Sequence, residues 1–351
     1  MEQRILGRTG RAVSVVGLGT WQLGADWGEV DDSEAVAVLD AAAAAGITFL
    51  DTADVYGDGR SERLIGRWRK DNPGAEVTVA TKMGRRVDQD PALFTLENFR
   101  AWTDRSRANL GVDRLDLVQL HCPPTALFSL DAVYDGLDTL VAEQRIAAYG
   151  VSVETSGQAL TAIARPGTAS VQIILNAFRR KPIEHVLPAA QAAGVGIIAR
   201  VPLASGLLSG RYTHDTAFAA SDHRSYNRHG EAFDVGETFS GVDFDTGVDA
   251  AREFAALAPA GAHPGTDRPA LGDPAARRHH RDPWGAEPGA GAAERIRREP
   301  AAAHRRRTRR HRGSVRPPNP CPGPGSLVAL LPDDESAVTA MFVGWDRTGI
   351  N

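Results

Sequence analysis

Seven short apolar runs, separated by stretches with helical spacing, recur between residues 13 and 203, and this beat limits the chain more than any other feature. Regular alternation of strand-like and helix-like segments calls for a parallel sheet whose strands are joined by crossover helices. The runs fall at 13–17, 47–50, 77–80, 115–120, 147–153, 170–176 and 196–203. The spacing predicts helices over 33–45, 61–70, 96–110, 130–144, 157–163 and 182–193. Ser33 is the expected cap of the first, and Gly46 closes it. Another helix pattern follows at 248–257.

Length and composition leave few classes open. A chain of 351 residues with 42% hydrophobic content can fill one barrel of roughly 250 residues plus an extension. No run is long and apolar enough to span a membrane, and the first residues, MEQRILGRTG, carry no apolar stretch before a cleavage site. The two cysteines, Cys122 and Cys321, make no disulfide framework, so the expected compartment is a reducing cytoplasm. A net charge of −4 hides an asymmetry, because thirteen arginines lie between Arg268 and Arg312. Lysine is scarce: Lys70, Lys82 and Lys181 are the whole complement.

Asp51, Tyr56, Lys82 and His121 stand at or just past the ends of three consecutive apolar runs. In a parallel barrel these ends converge on one rim, where the chemistry is placed. A single Asp, Lys or His at a strand end is more often half of a surface ion pair. Four together point to proton transfer at a carbonyl oxygen. A phenol has a pKa near ~10 and is a weak acid at neutral pH. A neighbouring ammonium is expected to lower that value, and a carboxylate to hold the ammonium in place.

The stretches FLDTADVYGDGRSE (49–62), ATKMG (80–84), QLHCPP (119–124) and PLASGLLSGR (202–211) resemble, in order and spacing, those of the aldo-keto reductases. The resemblance spans residues 3 to about 258. It implies a TIM-type (β/α)8 barrel, an α/β fold, and an NADP-dependent oxidoreductase that moves hydride from NADPH to an aldehyde or ketone. By the same resemblance Tyr56 is the proton donor, Lys82 its tuner, Asp51 the anchor of Lys82, and His121 the residue that orients the carbonyl. GLGTW at 17–21 lacks the third glycine and the acidic partner of a Rossmann fingerprint. The family instead lays its cofactor across the barrel mouth. Carried over, Gly19, Thr20 and Trp21 border the nicotinamide, while Ser152 and Gln172 hydrogen-bond its carboxamide. Arg200 replaces an aromatic residue that stacks on the ring in many relatives, and Val153 replaces an asparagine. Pro202, Leu203, Ser205, Gly206, Leu208, Gly210 and Arg211 match the loop that clasps the pyrophosphate. Trp21, Trp27 and the loop 22–32 are expected to line the substrate pocket, and the polar stretch 212–246 to form a lid. Cys122, with no partner base in view, reads as a packing position.

Past residue 259 the character changes. Between Ala260 and Gly325 the only large apolar residues are Leu271, Trp284, Ile296 and Val315. Arginine, proline, glycine and alanine fill the rest, a composition expected of disorder. A one-nucleotide slip of the reading frame near Ala260 would explain the change. RHHRDPWGA at 278–286, back-translated with GC-rich codons and read one base later, gives VTTVIPGA, which resembles the family's eighth strand and phosphate loop. The expected organisation is therefore a barrel over 1–258 and an out-of-frame tail over 259–351. The eighth strand and last helix would be missing, and two strand edges left unpaired. An arginine in the shifted reading favours NADPH over NADH. The expected partner is a small carbonyl compound, with no membrane and no metal. Two other functions compete: a cofactor-binding regulatory barrel like the potassium-channel β subunits, or an inactive truncated reductase. A nucleic-acid-binding arm is disfavoured, because the arginine-rich stretch has no lysine and no interleaved aromatics.

Overall fold

The computed structural model describes residues 1–24, 30–256 and 338–344. By its contacts the chain divides into residues 1–267 with 324–351, and residues 268–323. The second unit lies outside the described residues. In the first, a two-stranded antiparallel hairpin, β1 (Gln3–Ile5) and β2 (Ala12–Ser14), precedes a closed parallel barrel. The barrel strands are β3 (Val16–Gly19), β4 (Phe49–Asp51), β5 (Thr78–Met83), β6 (Leu117–His121), β7 (Tyr149–Ser152), β8 (Thr168–Ile174), β9 (Gly196–Arg200) and β10 (Val338–Gly344). The helices are α1 (Asp32–Ala44), α2 (Arg60–Asp71), α3 (Leu96–Leu110), α4 (Asp131–Ala142), α5 (Ser156–Ile163), α6 (Pro182–Ala193), the short α7 (His223–Tyr226) and α8 (Phe244–Ala256).

The expected beat is present, with two local differences. The first apolar run is divided: Ala12–Ser14 pairs back on β1, and only Val16–Gly19 enters the barrel. Leu6 and Val13 then pack with Phe49, Ala80, Leu117 and Ile198, so the hairpin closes the end of the barrel away from the strand C-termini. The cap of α1 is Asp31, not Ser33. Its carboxylate accepts from the Glu34 amide at 2.8 Å, and Glu34 accepts from the Asp31 amide at 3.2 Å. That reciprocal arrangement satisfies two orphan donors and contributes about 1 kcal/mol.

The larger correction concerns the eighth position. It is not empty: β10 pairs in parallel with β3, Met341 opposite Val16, and with β9, Met341 opposite Ala199. The physical reason is the cost of the two unpaired edges that were expected. The backbone groups along β3 and β9 need partners, and a seven-residue run rich in β-formers supplies them. The edges expected to be unpaired are thus covered. Residues 259–337 and 345–351, on which the frame-slip and disordered-tail expectations fall, lie outside the described residues, as does any helix after β10.

A proline inside a central strand removes a ladder donor and costs about 3 kcal/mol or more. Ala340→Pro, at a residue paired with Ile198, is therefore expected to lower the melting temperature by several degrees or to abolish cooperative melting. Thermal denaturation followed by circular dichroism checks this; an unchanged transition would mean that β10 does not close the barrel.

Candidate active site

Asp51 ends β4, Lys82 is the penultimate residue of β5, and His121 ends β6, so consecutive strands deliver all three to one rim. Lys82 is 1% exposed, and its ammonium is fully engaged. Nζ donates to Asp51 Oδ2 at 2.6 Å, to the Thr52 carbonyl at 2.9 Å and to the Tyr56 hydroxyl at 3.2 Å. A buried ammonium without such partners would lose its proton. Asp51 is in turn oriented from the barrel interior, because its Oδ1 accepts from Gln172 at 2.9 Å and Gln119 at 3.4 Å. These three come from alternate strands, β4, β6 and β8, the layering expected of a filled barrel.

Tyr56 lies on the turn between β4 and α2. Gly57 follows it with φ 55°, and a Cβ there would meet the Gly24 carbonyl oxygen at 2.4 Å. The close approach brings the loop after β3 against the tyrosine. Trp21 stacks on Tyr56 with ring centroids 6.1 Å apart and planes 22° apart, and His121 meets it edge-on at 5.9 Å. On the far side Trp21 packs on His223 at 5.1 Å and Phe233 at 5.8 Å, both from the segment 212–243.

The electrostatics correct one expectation. Burial raises the Tyr56 hydroxyl above its ordinary value, and the lowering by Lys82 only partly offsets this. The tyrosine as a whole is half-buried, but the atom that titrates is the one against Lys82. Lys82 is itself raised: burial opposes its charge, and Asp51 and Tyr56 together more than restore it. His121 is held well below the usual histidine range, first by burial and then by Lys82, Arg85 and Arg200, so its imidazole is neutral at neutral pH. The Cys122 thiol is pushed up by burial and is not a thiolate nucleophile.

The expected cofactor-side residues surround the same rim. Gly19 ends β3 and pairs with Asp51 and Gly344. Thr20 is buried and donates to the Asp51 carbonyl at 2.8 Å. Ser152, at the end of β7, donates to Gln172 Oε1 at 3.3 Å. The Gln172 amide is thus already shared between Asp51 and Ser152. Arg200, at the end of β9, donates to the Val153 carbonyl at 3.0 Å and pairs with Glu237. Beyond it Pro202, Leu203, Ser205, Gly206, Leu208, Gly210 and Arg211 form a tight loop with positive φ at Val201, Ala204, Ser205, Gly206 and Gly210. A Cβ on Gly206, φ 96°, would strike the Tyr212 hydroxyl at 2.2 Å. Leu208 is 1% exposed in an apolar cluster with Leu207, Phe239 and Phe244, and so packs the loop. Arg211 is exposed. Trp27 lies outside the described residues.

Several residues that shape the site were not singled out from the sequence. The segment expected to form a lid is tied down by Arg200–Glu237, by Arg179–Asp234 at 3.2 Å, and by Asn176 donating to Ser240 at 2.7 Å. Arg85, three residues past Lys82, faces Phe233. The motif ATKMG stops one residue short of it, so that position was available to be found. The pairings of Glu237 and Asp234 join residues 37 and 55 apart, and no local pattern reveals them. Two buried polar atoms at the rim, His121 Nδ1 and Arg200 Nε, have no partner among the described residues, and neither has Gln119 Oε1 in the barrel interior beneath them. A bound ligand that both donates and accepts hydrogen bonds would satisfy the two at the rim, so the residues present fit a nicotinamide nucleotide with a carbonyl compound beside it.

Asp54 lies beneath this machinery. It is 2% exposed, its Oδ1 has no partner among the described residues, and burial beside Glu62 pushes its carboxyl up to about 8. The folded state therefore holds a proton that the unfolded chain, with a value of 3.8, releases earlier. Stability from this group is present at low pH and is lost as pH rises from about 4 to about 8. Between about pH 5.5 and pH 8 the loss is on the order of 3 kcal/mol. Asp54→Asn is expected to remove that slope, so that its advantage in melting temperature over the parent grows between pH 5.5 and pH 8. Equal melting curves for the two proteins at both pH values would mean that Asp54 is ionised throughout.

Comparison with known proteins supports the same family. The aldo/keto reductase family model matches residues 15–262. The aldo-keto reductase YhdN of Bacillus subtilis (strain 168) is 30% identical over 238 residues, 65% of this chain and 70% of the relative. The L-galactose dehydrogenase of Arabidopsis thaliana is 33% identical over 221 residues, 60% of this chain and 67% of the relative. Among solved structures, the glycerol dehydrogenase of Gluconobacter oxydans aligns with a TM-score of 0.59 at 30% identity, covering 73% of this chain and 77% of that one. An aldo-keto reductase from Klebsiella pneumoniae in complex with NADPH aligns with a TM-score of 0.51 at 25% identity, covering 60% and 70%. No helix among the described residues is long and apolar enough to cross a membrane. On barrel, rim and family match together, the chain is an oxidoreductase that belongs to the aldo/keto reductase family.

Proposed function

We propose that the chain reduces an aldehyde or ketone with NADPH, and that Tyr56 supplies the proton. One observation carries this: the hydrogen-bonded line Asp51–Lys82–Tyr56 ends on a hydroxyl beside a neutral imidazole. The nicotinamide would supply the hydride, held by the rim residues Thr20, Ser152, Gln172 and Arg200 and by the loop 202–211. Hydride arriving at the carbonyl carbon leaves charge on oxygen. A proton moving from Tyr56 to that oxygen neutralises it, and the phenolate left behind is stabilised by Lys82 at 3.2 Å. His121 donates a hydrogen bond to the same oxygen, a task suited to an imidazole kept neutral by burial. NADPH is favoured over NADH because a relative of this fold is described in complex with NADPH.

The raised Tyr56 value has a direction. A phenol whose pKa is lifted keeps its proton through neutral pH, so reduction is expected to be flat there and to fall only in the alkaline range. Alcohol oxidation, which needs the phenolate, should rise over that same range. Lys82→Met removes the ammonium that lowers the phenol, and is expected to move the alkaline limb upward in pH while lowering kcat. Tyr56→Phe should cost about a hundred- to ten-thousand-fold in kcat with benzaldehyde while still quenching tryptophan fluorescence on NADPH addition. Undiminished turnover by Tyr56→Phe would overturn the assignment. Nucleotide binding without turnover by the parent would favour a regulatory barrel.

A further inference from the structure

We propose that Arg85 sets the substrate class of this site by receiving a carboxylate carried by the carbonyl compound at the end remote from its reacting carbon. The proposal rests on the reductase reading above and deepens it. Among the described residues, Arg85, Arg179 and Arg200 lie at or past the C-terminal ends of barrel strands β5, β8 and β9. Arg179 and Arg200 are answered by the lid carboxylates of Asp234 and Glu237. Arg85 has no hydrogen bond and no ion pair with any described residue; its contact is the face of Phe233, with the guanidinium carbon 6.0 Å from the ring centroid.

The placement of that charge suits a substrate better than a cofactor. Arg85 follows Gly84, which turns the chain out of β5 with φ 98°. Phe233 meets Trp21 edge-on at 5.8 Å, and Trp21 stacks on Tyr56 at 6.1 Å. The cation therefore stands at one end of an aromatic wall whose other end is the proton donor. A ligand lying along that wall would present its carbonyl to Tyr56 and its far end to Arg85. In the strand order β5 is four places from β9 around a ring of eight, so Arg85 lies across the barrel from the loop 202–211. A phosphate held by that loop is not the partner of Arg85. The protein group nearest to competing is Glu154, on the connection after β7. Arg85 lowers its pKa, but burial and Asp234 raise it overall, and the two are not within ion-pair distance. A substrate carboxylate would displace no partner among the described residues, and a guanidinium binds it in a charge-assisted, bidentate fork.

The test compares para-carboxybenzaldehyde with para-methylbenzaldehyde, using the full chain and NADPH, and calorimetric binding of the two product alcohols in the presence of NADP+. The carboxylate compound is expected to show a kcat/KM about tenfold or more above the methyl compound, mainly through KM, and a preference that weakens with added salt. Arg85→Gln should bring the ratio near one, and Arg85→Lys should restore part of it, which a merely structural role would not. No preference in the parent, or a preference that survives Arg85→Gln, overturns the proposal. If neither aldehyde is reduced, the reductase reading fails. The binding of para-(hydroxymethyl)benzoate against para-methylbenzyl alcohol still decides on Arg85, since equal affinities in the parent overturn it too.

Discussion

An ammonium ion sealed inside the barrel is the constraint on which the rest of this site depends. Lys82 is buried among strand ends, and its charge survives there because Asp51, the Thr52 carbonyl and Tyr56 each accept one of its hydrogens. Removing one partner from a buried pair costs about 3–5 kcal/mol, because the other charge is left without compensation. The arrangement is therefore held by stability as well as by chemistry. Asp51 is further fixed by Gln119 and Gln172, so two amides from alternate strands set the direction in which the lysine leans. Tyr56 inherits its position from that chain of bonds and from the Gly24–Gly57 approach, which leaves no room for a side chain.

The segment 212–243, expected to form a lid, is held by the same physics at longer range. Two ion pairs and one amide–hydroxyl bond tie it to strand ends, while Trp21, His223 and Phe233 pack across its inner face. Ser205 joins the two sides, donating to the Glu237 carbonyl at 2.7 Å and accepting from the Phe239 amide at 3.1 Å. The loop that would clasp a pyrophosphate and the lid that would cover a nicotinamide are thus one hydrogen-bonded unit. Any nucleotide that enters must act on both.

Much of this was legible in the chain because strand ends are local features. Asp51, Lys82 and His121 each terminate an apolar run, and a parallel barrel brings such ends together whatever the loops do. The helices 96–110 and 182–193 fall where their spacing put them, since amphipathic spacing and a following glycine mark both ends. What could not be read depends on partners far apart in sequence. Glu237 matters because of Arg200, and Phe233 because of Trp21. Strand β10 was missed for a different reason. The run 338–344 begins 82 residues after the last residue of α8, and a short apolar run is assigned as a strand only when the surrounding beat supports it. With the beat broken at 260, seven residues of strand-forming sequence gave no sign of their place between β3 and β9.

The raised value of Tyr56 changes how the relay is to be understood. If Lys82 served mainly to acidify the phenol at rest, the phenol would lie below its ordinary value; burial keeps it above. In the proposed proton transfer the ammonium would contribute most after the proton has left, when a phenolate charge would stand 3.2 Å from it. Interactions that strengthen only as charge develops lower the barrier without tightening the ground state. On the proposed reading, a protonated phenol whose hydroxyl lies against a fixed cation would meet that condition.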